Sequence, residues 1–156
     1  MKTIAAETSI TINASIEKVW QIMLDTAKYP AWNSFVVKAE AAGDPSKPGN
    51  KMKLFVKWQK GGGASSNEVI ADTQAPTLES DGKKRAFWSY RFVGPLATTG
   101  MVQAVRYQWL EETVPGVTLY RTREEFKGLL KLFIPLANVQ QGFERQAADL
   151  KRHCEK

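Results

Sequence analysis

The sequence predicts an α+β fold: a curved antiparallel sheet of about seven strands, two short helices after strand one, and a long C-terminal helix lying on the sheet over an apolar pocket. Three observations lead to it. An alternating segment near the N-terminus gives way to helical spacing. From Val36 onward, glycine and proline turns divide the chain into short runs whose apolar residues share one parity. After about Pro135 the apolar period lengthens to that of a helix.

In residues 7–13, Ile10 and Ile12 fall on one side and Ser9 and Thr11 on the other, the pattern of a half-buried strand. Ser15 can cap the next segment, where Ile16, Val19, Trp20 and Met23 recur at helical spacing and Glu17 sits in the first turn. Tyr29-Pro30 is expected to stop that helix, because the residue before proline is disfavoured in the helical region; residues 31–35 then make one more turn. Turns at residues 43–49, Gly61-Gly62-Gly63, Asp81-Gly82, Gly94-Pro95 and Pro115-Gly116 separate the hairpins of a meander. Within it Met52, Leu54, Val56 and Trp58 share one parity, as do Ala86, Trp88, Tyr90 and Phe92, and Tyr120, Thr122, Glu124 and Phe126. Residues 105–110 leave the register open, since Val105, Tyr107 and Trp109 compete with Leu110 on the other parity. In the closing helix Val139, Phe143, Ala147, Leu150 and Cys154 form one stripe, and Lys151, Arg152 and His153 suit the negative end of its dipole.

A chain of 156 residues is the size of one cooperative core, so residues 1–156 read as a single domain. Residues 1–11 carry no long apolar stretch, and no segment approaches the ~18 apolar residues of a membrane span. No stable membrane insertion and a cytoplasmic location are therefore expected. The single cysteine, Cys154, cannot form an internal disulfide, and with the single histidine, His153, it offers too few soft ligands for zinc; no metal and no cofactor are expected. Both are expected to be solvated in the last turn. The net charge of +6 is spread along the chain, and its densest cluster, Lys83-Lys84-Arg85, follows a turn with no nucleic-acid-binding motif beside it. We read the charge as favouring solubility, with no nucleic-acid partner; a protein partner is left open.

Three stretches carry a family likeness. ITINASIEKVWQIMLDTAKYPAWNSFV holds an opening strand, a helix with Val19-Trp20, and the Asp25, Tyr29-Pro30, Trp32-Asn33 turn; TLYRTREEFKGLL ends a strand in Phe126 and Gly128; LANVQQGFERQAADLK opens the closing helix with Gly142-Phe143 and Leu150-Lys151. Together they resemble the SRPBCC superfamily of START-related, helix-grip proteins, in particular its polyketide cyclase/dehydrase-like branch, over about residues 7–150. The resemblance implies binding of lipids, sterols, polyketides, quinones or plant hormones. In some members it implies cyclase or dehydratase activity, and in others a role as a chaperone cofactor or respiratory-chain partner. The matching residues are structural ones, so function has to be argued from the pocket.

Pocket walls should come from inward strand faces and the buried side of the last helix: Trp58, Trp88, Tyr90, Phe92, Tyr120, Phe126, Phe133 and Phe143, with Thr122 adding a hydroxyl. These aromatics could also fill a solid core. A dry void of ~300 Å³ would cost on the order of 7 kcal/mol, so the space is either filled by side chains or occupied by something else. The reading favoured is a binder of a small hydrophobic molecule, entered between residues 94–100 and the final helix. A rival reading is a cyclase- or dehydratase-type enzyme, with Glu124 as the buried carboxylate and Tyr90 or Arg91 assisting. The alternative for Glu124 is a surface ladder with Glu125, Arg121 and Arg123. A third reading is a protein-interaction module. A serine-type triad is disfavoured by the terminal position of His153, and Gly61-Gly62-Gly63 lacks the lysine-serine or lysine-threonine pair of a phosphate cradle.

Overall fold

The computed structural model describes residues 3–156. Strand β1 (Ile4–Ile12) leads into helix α1 (Ile16–Leu24), which starts where Ser15 Oγ accepts the Lys18 N–H at 3.3 Å. Helix α1 ends at Leu24 with the Asp25 N–H on Gln21 O, five residues before the Tyr29-Pro30 pair expected to stop it. Tyr29-Pro30 instead opens a second short helix, α2 (Tyr29–Trp32), because proline fits a first helical turn, whose N–H groups have no partner in any case.

Six further strands follow: β2 (Val36–Ala41), β3 (Lys51–Lys57), β4 (Gly63–Leu78), β5 (Lys84–Val93), β6 (Gln103–Val114) and β7 (Val117–Lys127). They form one antiparallel sheet in the order β1-β7-β6-β5-β4-β3-β2, so the first strand pairs with the last from Ile4↔Phe126 to Ile12↔Thr118. Register shifts in β4, between Ile70 and Thr73 and again between Gln74 and Thr77, are bulges that bend the sheet. A single turn, α3 (Pro95–Thr98), links β5 to β6, and the chain closes with α4 (Leu136–Cys154).

Helix α4 buries Val139, Phe143, Ala147, Leu150 and Cys154, the stripe expected from spacing, and packs most closely along β1. Cys154 is therefore core rather than solvated, and burial pushes its thiol up to about 11. His153 is only partly exposed and stacks on Trp32, with ring centroids 5.7 Å apart. The open register of β6 resolves in favour of Ala104, Arg106, Gln108 and Leu110 facing inward. Tyr107 and Trp109 face outward and stack at 5.5 Å, with Phe87 beside both.

Two close approaches shape the end of the molecule that leads into α4. Gly128, at φ 110°, lets the chain leaving β7 pass so near the α3–β6 link that an added Cβ would fall 2.5 Å from Met101 O. The Leu130 N–H then bonds Met101 O at 2.8 Å, tying the two loops together. Gly142 leaves room on α4 for the Phe35 ring, which a Cβ there would meet at 2.3 Å.

Candidate functional site

The inward parities of β3–β7 and the α4 stripe leave a cavity of about 260 Å³ between sheet and helix, partly open to solvent. Leu54, Val56, Phe92, Phe126, Val139 and Phe143 are among the apolar residues of its wall. At its mouth three segments meet: the β3–β4 hairpin with Trp58 and Ala64, the α3 loop with Leu96 and Val102, and the approach to α4 with Ile134 and Pro135. Of residues 94–100, expected to form an entrance with the final helix, Leu96 lines the cavity together with Ile134 and Pro135.

Polar groups enter this apolar space along one row. Tyr90 on β5, Arg106 on β6 and Glu124 on β7 stand directly opposite one another, and Glu68 on β4 lies opposite Phe92. Arg106 is 2% exposed and remains charged at any physiological pH. Its fork is spread over four neutral oxygens: Nε donates to Thr122 Oγ1 at 3.0 Å, Nη1 to Tyr90 Oη at 3.1 Å, and Nη2 to Gln146 Oε1 at 3.0 Å and Tyr120 Oη at 3.5 Å. The guanidinium also lies 4.2 Å from the Phe143 ring centroid, a cation–π contact strengthened by desolvation. Dipoles rather than a bonded carboxylate solvate this charge.

The two carboxyls respond to that environment. Glu68 is 5% exposed; its Oε1 accepts from Ser66 Oγ at 3.1 Å, whereas Oε2 is buried with no partner among the described residues. Burial lifts its pKa well above the usual carboxylate range, the charge of Glu124 lifts it further, and Ser66 and Arg106 only partly oppose this. Burial pushes Glu124 up to about 7, against the pull of Arg106. Its accessible surface is partial and faces the cavity it lines, so desolvation governs it. Burial also raises Tyr90 above the ordinary tyrosine value, keeping it a neutral hydroxyl.

Of the residues singled out from sequence, Trp58, Tyr90, Phe92, Glu124, Phe126 and Phe143 line the cavity. Trp88, Tyr120 and Thr122 point inward but lie behind it. Trp88 Nε1 donates to Pro45 O at 2.9 Å, and its ring meets Tyr90 edge-on at 5.1 Å. Tyr120 Oη donates to Gln108 Oε1 at 2.6 Å, and Thr122 Oγ1 donates to Tyr107 O at 3.0 Å, so both brace Arg106 from below. Phe133 is no wall: it is 81% exposed, because a 3₁₀ turn over Lys131–Phe133 swings it outward before α4 begins. Arg91 is likewise exposed on the outer face and cannot assist Glu124. Sequence reasoning missed Arg106, Glu68 and Phe35. For the first two a signal existed, since Glu68 shares parity with Ile70 and Arg106 with Leu110.

A bent antiparallel sheet gripping one long helix over an apolar cavity with a buried polar row defines a helix-grip protein. The chain belongs to the family described as polyketide cyclase / dehydrase and lipid transport, whose model matches residues 3–155. Solved structures agree at the level of fold. The chain is similar to the Zhui aromatase/cyclase from Streptomyces sp. R1128 (13% identity, TM-score 0.74, covering 99% of this chain and 94% of that one). It is also similar to major latex-like protein 151 from Panax ginseng (11%, TM-score 0.69, 97% of each chain). A third likeness is to norcoclaurine synthase from Thalictrum flavum, solved with dopamine and hydroxybenzaldehyde (10%, TM-score 0.62, 97% of this chain and 86% of that one). Compared by sequence, no curated protein matches the chain at a significant level.

Proposed function

We propose that the chain binds a small, largely apolar molecule in the cavity, with a polar group of the ligand directed at Glu68, Glu124 and Tyr90. The observation that carries this reading is the unpartnered Glu68 Oε2 at an otherwise apolar wall. A buried carboxyl oxygen without a partner costs a few kcal/mol, and a ligand hydroxyl or amine placed there would remove that cost. The unfilled space argues the same way: the cavity of about 260 Å³ has a largely apolar wall, and a ligand lying there removes apolar surface of both partners from water. Family membership agrees with a hydrophobic ligand or a cyclase-type role.

The test is displacement of an environment-sensitive fluorescent fatty-acid probe, competed with fatty acids, sterols and aromatic polyketides, alongside native mass spectrometry. We expect saturable displacement by at least one class, abolished in Ala104→Phe, which places a ring in the cavity. No displacement and no retained mass across all three classes would remove the reading.

A second reading is catalysis, favoured by two carboxyls facing one apolar space with Glu124 poised near neutrality. In this reading Glu124, as carboxylate, takes a proton from a carbon next to a carbonyl. Glu68, as acid, returns one to the oxygen that leaves as water or develops charge. The relatives solved as an aromatase/cyclase and as norcoclaurine synthase support the class only as analogy. Turnover should then rise with pH through about 7 and lose that limb in Glu124→Gln; a profile unchanged by the substitution would refute the role.

A further inference from the structure

We infer that the cavity mouth is a docking surface for an anionic lipid bilayer, on which the molecule stands mouth-down. Two of the three segments that converge there carry large, exposed apolar side chains: Leu129 is 65% exposed, Leu132 79%, Phe133 81% and Leu96 47%. Scattered exposed leucines are ordinary, but these four lie in two loops bonded to each other, around the opening that Leu96, Ile134 and Pro135 line. Leu132 and Phe133 are consecutive residues of the 3₁₀ turn that precedes α4.

Charge specifies what covers this patch. Residues 57–66, 94–102 and 127–139, the three mouth segments, contain no aspartate or glutamate, although the chain has 16. They contain Lys57, Lys60, Lys127 and Lys131, of which the first three are exposed. Other parts of the surface do interleave cations with acids, as in Arg85 with Glu79, Asp81 and Glu111, or Arg123 with Glu7 and Glu125. An apolar tip ringed by cations of one sign matches the layering of a bilayer, with acyl chains for the leucines and phenylalanine and anionic headgroups for the lysines. No helix among the described residues is long and apolar enough to cross a membrane, so the contact is peripheral. Docking in this orientation would join the cavity to the acyl layer without passage through water. That consequence rests on the binding reading above; the docking itself does not.

Sedimentation with sucrose-loaded vesicles tests it. We expect the chain to partition onto 3:1 phosphatidylcholine:phosphatidylglycerol vesicles, to bind phosphatidylcholine alone far less, and to be released as NaCl rises from 150 to 500 mM. The double substitution Leu132→Ser with Phe133→Ser should weaken partition at least ~10-fold, and Lys60→Ala and Lys127→Ala roughly fivefold each. Because all four side chains are exposed, these variants should fold, checked by circular dichroism. The soluble-probe displacement assay should be unchanged in them, which separates loss of docking from loss of the cavity. Absence of partition onto the anionic vesicles, or a double variant that partitions like the parent, would overturn the inference. So would a concentration-dependent dimer that the double variant abolishes while no vesicle binding is seen; that would assign the patch to a second copy.

Discussion

Arg106 is where the chain commits a full charge to its interior, held by hydroxyl and amide oxygens from β5, β7 and α4. A lysine could not reach four acceptors with one compact ammonium, so Arg106→Lys should lower stability by about 2–4 kcal/mol, read from the urea midpoint. Glu124 makes the complementary point. The folded protein binds its proton more tightly than the unfolded chain does, so stability should fall as pH rises from about 4.5 towards 7 and level off above, with Glu68 acting in the same direction. Glu124→Gln should flatten part of that slope and be the more stable protein at pH 8, by roughly 1–3 kcal/mol. A parent whose urea midpoint does not drop between pH 5 and pH 8 would contradict this assignment. Glu124 could be read from sequence because its neighbours at Tyr120, Thr122 and Phe126 all face inward. Arg106 shares parity with Leu110, but that signal was outweighed because the outward parity of β6 is the more aromatic one. Tyr107 and Trp109 stack with Phe87 on the outer face, under Arg121 at 4.4 Å from the Trp109 ring, so the solvent side of this sheet imitates a core.

Elements were legible wherever spacing alone decides them. The α4 stripe, the seven strands and most turns follow from period and punctuation. The end of α1 did not, because the backbone leaves the helical region at Asp25 (φ −83°, ψ 69°) before the proline is reached. Nor was the outward swing of Phe133 visible, since a 3₁₀ turn and the first turn of a helix share nearly the same spacing. Close packing between elements also escapes a linear reading. Gly142 sits in the interior of a helix, where glycine costs stability, and the reason appears only in the Phe35 ring lying against it. Gly142→Ala should therefore lose about 1–3 kcal/mol despite the better helix former, with the loss visible as a lower urea midpoint at unchanged slope. At Gly128 the left-handed backbone and the contact with Met101 O act together, so Gly128→Ala should loosen the two mouth loops from each other.

Across the whole molecule, order should be graded from one end to the other. The sheet centre, β5 to β7, is paired on both sides, while the mouth loops are held by few bonds, among them Leu130 N–H to Met101 O. Amide exchange at residues 94–102 and 128–135 should be faster than in β6 by several orders of magnitude, and a ligand that fills the cavity should slow it. Equal protection in loops and strands would argue against a mobile entrance. The pairing of β1 with β7 bears on how the molecule is made. Ile4 is made long before its backbone partner Phe126; likewise the Asn13 N–H donates to Glu155 Oε2, and Thr11 O accepts from Lys151 Nζ, both partners lying in or just after the last helix. Until β7 has been made, β1 has no native edge to join, so the slowest folding step should be this long-range pairing rather than any local hairpin.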